Sequence, residues 1–76
     1  MKDISELTTE PAEDEMGYRH DDLESGSKVV YEGEIRTVAH IGRSAVSLEP
    51  REEGEPEESV REGGMALIMD ESELED

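Results

Sequence analysis

Large apolar residues cluster in the middle of this chain and are sparse on both sides. Residues 26–48 contain eight of them, spaced as in short strands: Val29, Val30, Tyr31, Ile35, Val38, Ile41, Val46 and Leu48. Most are β-branched or aromatic and therefore pack well on a pleated sheet, while Gly26, Gly33 and Gly42 mark turns. The pattern predicts a β-meander in residues 26–48 that forms the nucleus of the fold.

The dipeptide Gly42-Arg43 predicts the register of the second hairpin, because glycine at the first position of a two-residue loop fits a type II′ turn. Ile41 would then face Ser44. Paired residues share a face and residues alternate along a strand, so this register defines two faces. The core face would hold Ile35, Thr37, Ala39, Ile41, Val46 and Leu48, and the outer face Arg36, Val38, His40, Ala45, Ser47 and Glu49.

The dipeptide Glu32-Gly33 allows a second tight turn, which makes residues 26–31 the first strand of the meander. A two-residue loop at this point would put Val30 inside and Val29 with Tyr31 outside. A three-residue loop would reverse these faces. The sequence leaves both arrangements open.

Two further strands are predicted after the acidic, proline-containing segment of residues 49–58. Residues 59–61 can form a short fourth strand, and the apolar run of residues 65–69 suits a buried fifth strand better than a helix. A closing strand is needed because three strands alone leave their core face wet. The alternative is that residues 65–69 form an exposed strand that binds a partner.

Charged residues dominate the two ends of the chain. Residues 1–25 carry nine acids and two bases, with four large aliphatic residues and no sustained period, so we expect them to be mostly disordered. The predicted organisation is an acidic, disordered segment (1–25), a small β-barrel domain (26–69) and an acidic tail (70–76).

The excess of acids over bases indicates the salt concentration and the kinds of partner that suit this chain. The chain has 76 residues, 23 acids against seven bases and a net charge of −16. Such a charge repels nucleic acid and anionic lipid over about 8 Å at physiological salt. With five arginines against two lysines and few large apolar residues, the composition is similar to that of haloarchaeal cytoplasmic proteins, which implies molar salt. The competing interpretation is a short acidic regulatory chain from an ordinary cell.

A spacing of glycines and strand residues runs through the central segment. The pattern G-x-x-V-x-Y-x-G, then T-V-x-x-I-G and V-x-L, is carried by Gly26, Val29, Tyr31, Gly33, Thr37, Val38, Ile41, Gly42, Val46 and Leu48. It resembles the opening strands of small SH3-like barrels, a group that includes Tudor and KOW modules. The resemblance implies an all-β fold, a partly open barrel of four or five short antiparallel strands, used for binding and not for catalysis.

Reactive side chains form no recognisable constellation. His20-Asp21-Asp22 and the glutamates of residues 52–58 lack the fixed spacing of a metal-ligand set, and Ser44 and Ser47 have no base at a suitable spacing. We also expect no pocket of about 300 Å³ in so small a core. The sequence therefore predicts no catalytic residue, no metal, no cofactor and no enzyme.

No segment predicts a membrane span or a signal peptide, since the longest apolar run has five residues and a span needs about 20. We expect a cytoplasmic monomer without membrane contact. The predicted function is a small acidic binding module or regulator that contacts an unidentified protein through the barrel edge or the outer hairpin face. The expected contacts are Arg36, Val38, His40, Arg43 and Ser47. The alternative is a nucleic-acid-associated, KOW-type module with Lys28, Arg36 and Arg43 as contacts.

Overall fold

A computed structural model describes residues 3–74 and gives one open sheet of six antiparallel strands. The order across the sheet is β1-β6-β2-β3-β4-β5. Within the described residues there is no α-helix, and two short 3₁₀ segments occupy Ile4–Glu6 and Glu71–Leu74. The all-β class is confirmed, but the sheet does not close into a barrel. The strands are β1 (Thr9–Pro11), β2 (Lys28–Tyr31), β3 (Glu34–Ile41), β4 (Val46–Leu48), β5 (Glu58–Val60) and β6 (Met65–Ile68).

The turn between β2 and β3 is the predicted tight turn at Glu32-Gly33. Tyr31 pairs with Glu34, and the two loop residues have φ angles of 52° and 77°. Positive φ at both positions is the geometry of a type I′ turn, whose second position suits glycine. Val29 is buried on the core side and Tyr31 packs against the core, so these two residues and not Val30 face inward. This is the reverse of the faces predicted for a two-residue loop, because Arg36, which lies opposite Val29, is on the inner face of β3.

The turn between β3 and β4 differs from the prediction. Ile41 pairs with Val46 instead of Ser44, and the N–H of Gly42 donates to the carbonyl of Ala45 at 2.9 Å, so the loop spans residues 42–45. A bulge between Val38 and His40 shifts the register again. The predicted two-residue type II′ turn is therefore wrong.

The bulge also corrects the assignment of faces on β3. Arg36 lies opposite Val29 and is buried with it, and Val38 is buried as well. The residues predicted to face the core before the bulge, Ile35, Thr37 and Ala39, are half-buried. An extra residue in one strand reverses the alternation beyond it, so Ile41 returns to the core side, where it packs against the cluster.

Both strands predicted after the acidic loop are present, as β5 and β6. β6 pairs with β2 on one side and with β1 on the other, which makes it an interior strand. Its residues Met65, Leu67 and Ile68 are buried. The alternative of an exposed partner-binding strand at residues 65–69 does not agree with this position.

The sequence predicts a mostly disordered segment at residues 1–25; residues 1 and 2 lie outside the described range, and residues 3–25 contain a strand. β1 hydrogen-bonds along β6, and Leu7, Ala12 and Leu23 are buried. A three-residue strand is too short to show a periodic pattern of apolar residues, so the sequence does not indicate β1. The burial of Ala12 is not indicated either, because alanine is not counted among the large aliphatic residues. An unpaired edge of β6 would leave its backbone groups without partners, and β1 supplies them. The sheet therefore spans the predicted boundary between residues 25 and 26.

The hydrophobic core contains residues from strands in the middle of the sheet, from its β5 edge and from the N-terminal segment. Its buried members come from the N-terminal segment, the meander and the last two strands: Ala12, Leu23, Val29, Val38, Val46, Leu48, Val60, Met65 and Leu67. Residues 3–74 include no helix with the length and apolar character that crossing a bilayer requires.

Candidate functional site

A tight turn at residues 14–18 holds two apolar side chains out in solvent. One carboxylate oxygen of Asp14 accepts the backbone N–H groups of Met16 at 2.9 Å and Tyr18 at 2.8 Å. The Asp14 N–H donates to the carbonyl of Tyr18 at 2.9 Å, which closes the turn. Met16 is 80% and Tyr18 67% exposed, more than any other large hydrophobic residue among residues 3–74. Hydrogen bonds thus hold in place a turn that exposes its apolar side chains.

Arg19 connects this turn to two other loops. Its guanidinium donates to the carboxylate of Glu62, from Nε at 2.7 Å and also from Nη2, and Nη2 donates to the carbonyl of Gly42 at 2.6 Å. Within residues 3–74, Glu62 is the one acidic residue that is buried, at 6% exposure. A buried carboxylate is tolerated when it is paired and hydrogen-bonded. This ion pair, the Arg19–Glu62 latch, fixes the turn against the β3–β4 and β5–β6 loops.

The three loops enclose a surface groove of about 370 Å³. Loops at the end of the sheet, and not the core, form this groove, so the expectation that the core holds no pocket of about 300 Å³ stays a prediction. Its lining includes three of the five arginines of the chain. The lining residues are Glu13, Gly17, Tyr18, Arg19, Arg43, Ser44, Arg61, Glu62 and Gly63.

Two of these arginines have no partner within residues 3–74. Arg43 and Arg61 are exposed and make no ion pair or hydrogen bond with any residue of the described range 3–74. The groove is therefore lined by two guanidinium groups that have no partner within residues 3–74 and by a tyrosine ring.

Two predicted contact residues lie in the interior. Arg36 is 6% exposed, and its guanidinium donates to the carboxylate of Glu58 and to the carbonyl of Glu49, both at 2.9 Å. Val38 is part of the hydrophobic core. Both residues were assigned to an outer face, and the register of β3 places them on the inner one.

The other predicted residues are exposed to different degrees. His40 is exposed, with Nδ1 3.3 Å from the carboxylate of Glu57, and it pairs with the half-buried Ser47. Lys28 is half-buried, and its ammonium donates to the Thr37 hydroxyl at 2.6 Å. Of the predicted contacts, Arg43 alone lines the groove.

Sequence reasoning missed Met16, Tyr18, Arg19 and Arg61. One pattern could have found the first two: Asp14 followed by Gly17 has the spacing of a β-turn with aspartate at its first and glycine at its fourth position. Arg61 has no comparable local pattern, since only the sheet brings it beside residues 17–19 and 43–44.

Comparison of the chain with protein-family models, with curated proteins and with solved structures finds no match.

Proposed function

We propose that this chain is a small, non-enzymatic binding module that contacts a protein partner through its groove and the adjoining turn. The binding surface consists of Met16, Tyr18, Arg43 and Arg61. One observation carries the proposal: Tyr18, the second most exposed large apolar side chain of residues 3–74, lines the same groove as Arg43 and Arg61, and Met16, the most exposed, lies on the turn that carries Tyr18. Aromatic residues, methionine and arginine are the types enriched at protein interfaces and at their hot spots.

The scaffold under this surface supports the same role. Asp14 fixes the backbone of Met16 and Tyr18, and the Arg19–Glu62 latch ties that turn to the loop that carries Arg43. A surface that is already ordered loses less conformational entropy when a partner binds. The sheet edges are less suitable for strand addition, because β1 and β5 have three residues each and end in Pro11 or begin with Glu58.

We propose further that the sheet is related to SH3-like barrels and that the protein works in a cytoplasm of high salt concentration. The meander β2-β3-β4-β5, with β3 shared between two pairings, supports an SH3-like interpretation of the sheet.

In molar salt the Debye length falls to about 3 Å, so the −16 charge no longer keeps a partner at a distance. Short-range contacts by Tyr18 and Met16 then decide affinity.

The nucleic-acid alternative loses much of its support. Of its three predicted contacts, Arg36 is buried against Glu58 and Lys28 is bonded to Thr37, which leaves Arg43. One or two arginines cannot neutralise many phosphates, and affinity for nucleic acid rises with the number neutralised. A protein partner is the function that the groove supports best.

Affinity capture from the host extract in molar salt, with mass-spectrometric identification, tests the proposal. The test variant combines Met16→Ala with Tyr18→Ala. The control combines Ile4→Ala with Met69→Ala, the other two exposed large hydrophobic residues of the described range. We expect one protein to bind the native chain and the control and to be lost from the test variant, with a loss of at least about 2 kcal/mol in calorimetry with the purified partner.

Two results would contradict the proposal. One is equal binding by the test variant and the control. The other is a captured partner that disappears after nuclease treatment, which would favour the nucleic-acid alternative.

A further inference from the structure

Among residues 3–74, three of the five arginines pair with a carboxylate, and the two that do not both line the groove. Arg36 pairs with Glu58 at 2.9 Å and Arg51 with Glu34 at 2.6 Å, while Arg19 pairs with Glu62. Arg43 and Arg61 have no such partner within residues 3–74, although the chain contains 23 acids. Two free guanidinium groups at one groove therefore contrast with a surface that is otherwise strongly acidic.

The acids of the groove do not satisfy these arginines. Glu62 is already paired with Arg19, and Glu13 makes no ion pair with Arg43 or Arg61. The lining thus contains three guanidinium groups against two carboxylates, one of which is in use. The lining residues alone therefore carry a net charge of +1, in a chain whose net charge is −16.

The chemistry of the groove selects among possible anions. The guanidinium fork matches the geometry of a carboxylate and binds it through two parallel hydrogen bonds. The ring of Tyr18 offers apolar area beside it. A singly charged carboxylate also suffers less repulsion from the surrounding acids than a doubly charged phosphate or a nucleic-acid backbone.

We infer that the partner segment in this groove presents an Asp or Glu carboxylate to Arg43 and Arg61 and an apolar side chain to Tyr18. The inference rests on the proposed function and specifies its ligand: a short acidic-apolar stretch of protein. In dilute salt the acidic surface around the groove also repels partners that carry further negative charge, whereas molar salt screens this repulsion and leaves direct contacts with Arg43, Arg61 and Tyr18 to select the segment.

Blocked hexapeptides provide the probe. One contains a single Leu-Glu pair among glycines and serines, and two matched peptides carry Gln or Lys in place of Glu. Each is titrated into the ¹⁵N-labelled chain while the amides of Gly17, Ser44 and Gly63, which line the groove, are followed. We expect saturable shifts with the Glu peptide, about tenfold weaker binding of the Gln peptide, and the weakest binding of the Lys peptide.

Arginine variants identify the groups responsible. Arg43→Ala and Arg61→Ala should each weaken the Glu peptide about tenfold and leave the Gln peptide unchanged. Arg51→Ala is the matched control, because Arg51 is an exposed arginine outside the groove that pairs with Glu34. It should leave both affinities unchanged. All three arginines are exposed, so amide spectra of the variants should keep the native dispersion.

The inference is overturned if the Gln or Lys peptide binds as tightly as the Glu peptide, if no peptide shifts the groove amides, or if Arg51→Ala weakens binding as much as Arg43→Ala. These results are distinct from failure of the proposed function. Capture that depends on Met16 and Tyr18 but not on Arg43 and Arg61 would keep the binding module and remove the carboxylate.

Discussion

Two acidic segments of this chain, residues 3–25 and residues 49–57, differ in how they relate to the sheet. The first forms strand β1 and buries Leu7, Ala12 and Leu23. The second has five acids in nine residues, contains no strand and buries no side chain. Both are rich in acids, so acid content does not decide order. The difference comes from a few apolar residues spaced so that each reaches the core.

The two segments also differ in the residues that they contribute to the groove. The N-terminal segment supplies Met16, Tyr18 and Arg19, whereas the loop of residues 49–57 lies outside the groove. The proposed binding surface therefore depends on a segment whose composition is typical of disorder. Four experiments, each with a matched change or condition, test this contrast.

Deleting residues 1–22 should have the largest effect. The deletion removes Leu7 and Ala12 from contact with the sheet and leaves one edge of β6 unpaired. We expect a loss of about 5 kcal/mol in the free energy of unfolding, which is close to the whole stability of a small domain. Replacing residues 52–57 with six Gly and Ser residues should cost less than about 1 kcal/mol. Urea denaturation measures both, and equal midpoints for the two variants would show that the segments do not differ.

Leu23→Ala compares a core side chain of the N-terminal segment with one of the meander. Leu23 and Leu48 are both buried in the same cluster. Each truncation should therefore cost about 2–5 kcal/mol, because it removes apolar contacts and leaves a cavity. Thermal or urea unfolding of Leu23→Ala and Leu48→Ala gives the comparison. A Leu23→Ala variant within experimental error of the native chain would place residue 23 outside the core.

Arg19→Ala compares the buried latch with an exposed ion pair. Removing Arg19 leaves the buried carboxylate of Glu62 without its partner, which should cost about 1–3 kcal/mol. Arg51→Ala breaks an exposed pair with Glu34 and should cost less than about 1 kcal/mol. A double-mutant cycle for each pair separates the pairwise energy from other effects. Coupling energies of the same size would remove the distinction.

Neutralising the acidic loop should have the smallest effect. Changing Glu52, Glu53, Glu55 and Glu57 to Gln relieves repulsion without touching the core, and we expect a gain of about 0.5 kcal/mol at low salt that vanishes in molar salt. The native chain should likewise melt at a higher temperature in molar salt than in dilute buffer. Circular dichroism melts test both, and an equal β signal with equal melting temperatures in the two salts would contradict the high-salt proposal.

The sequence allowed the meander and the later strands to be predicted because their patterns are local. Glu32-Gly33 closes the first hairpin, and the apolar run of residues 65–69 contains β6. The bulge between Val38 and His40 could not be predicted, since either strand face carries apolar residues and nothing local specifies an extra residue. Because of this bulge, Arg36 and Val38 face the core and not the predicted contact face.

Of the residues in the candidate site, only Arg43 was predicted as a contact, although the β-turn spacing of Asp14 and Gly17 could have indicated Met16 and Tyr18. Tyr18 and Arg61 are far apart in sequence and become neighbours through the pairing of β1 with β6 and through the Arg19–Glu62 latch. A three-residue strand and one ion pair produce no periodic pattern. Contacts of this kind depend on the assembled sheet and are not recorded in composition or spacing.

Amide hydrogen exchange tests most directly the central claim that the N-terminal segment belongs to the sheet and holds the binding surface. The N–H of Ala12 donates to the carbonyl of Met65 at 3.0 Å, and the N–H of His20 to that of Ala12 at 2.8 Å. We expect these two amides to exchange at rates close to that of Val38, whose N–H donates to Ser27 at 2.9 Å, and far more slowly than those of residues 52–55. Exchange of Ala12 and His20 as fast as in the acidic loop would contradict the account.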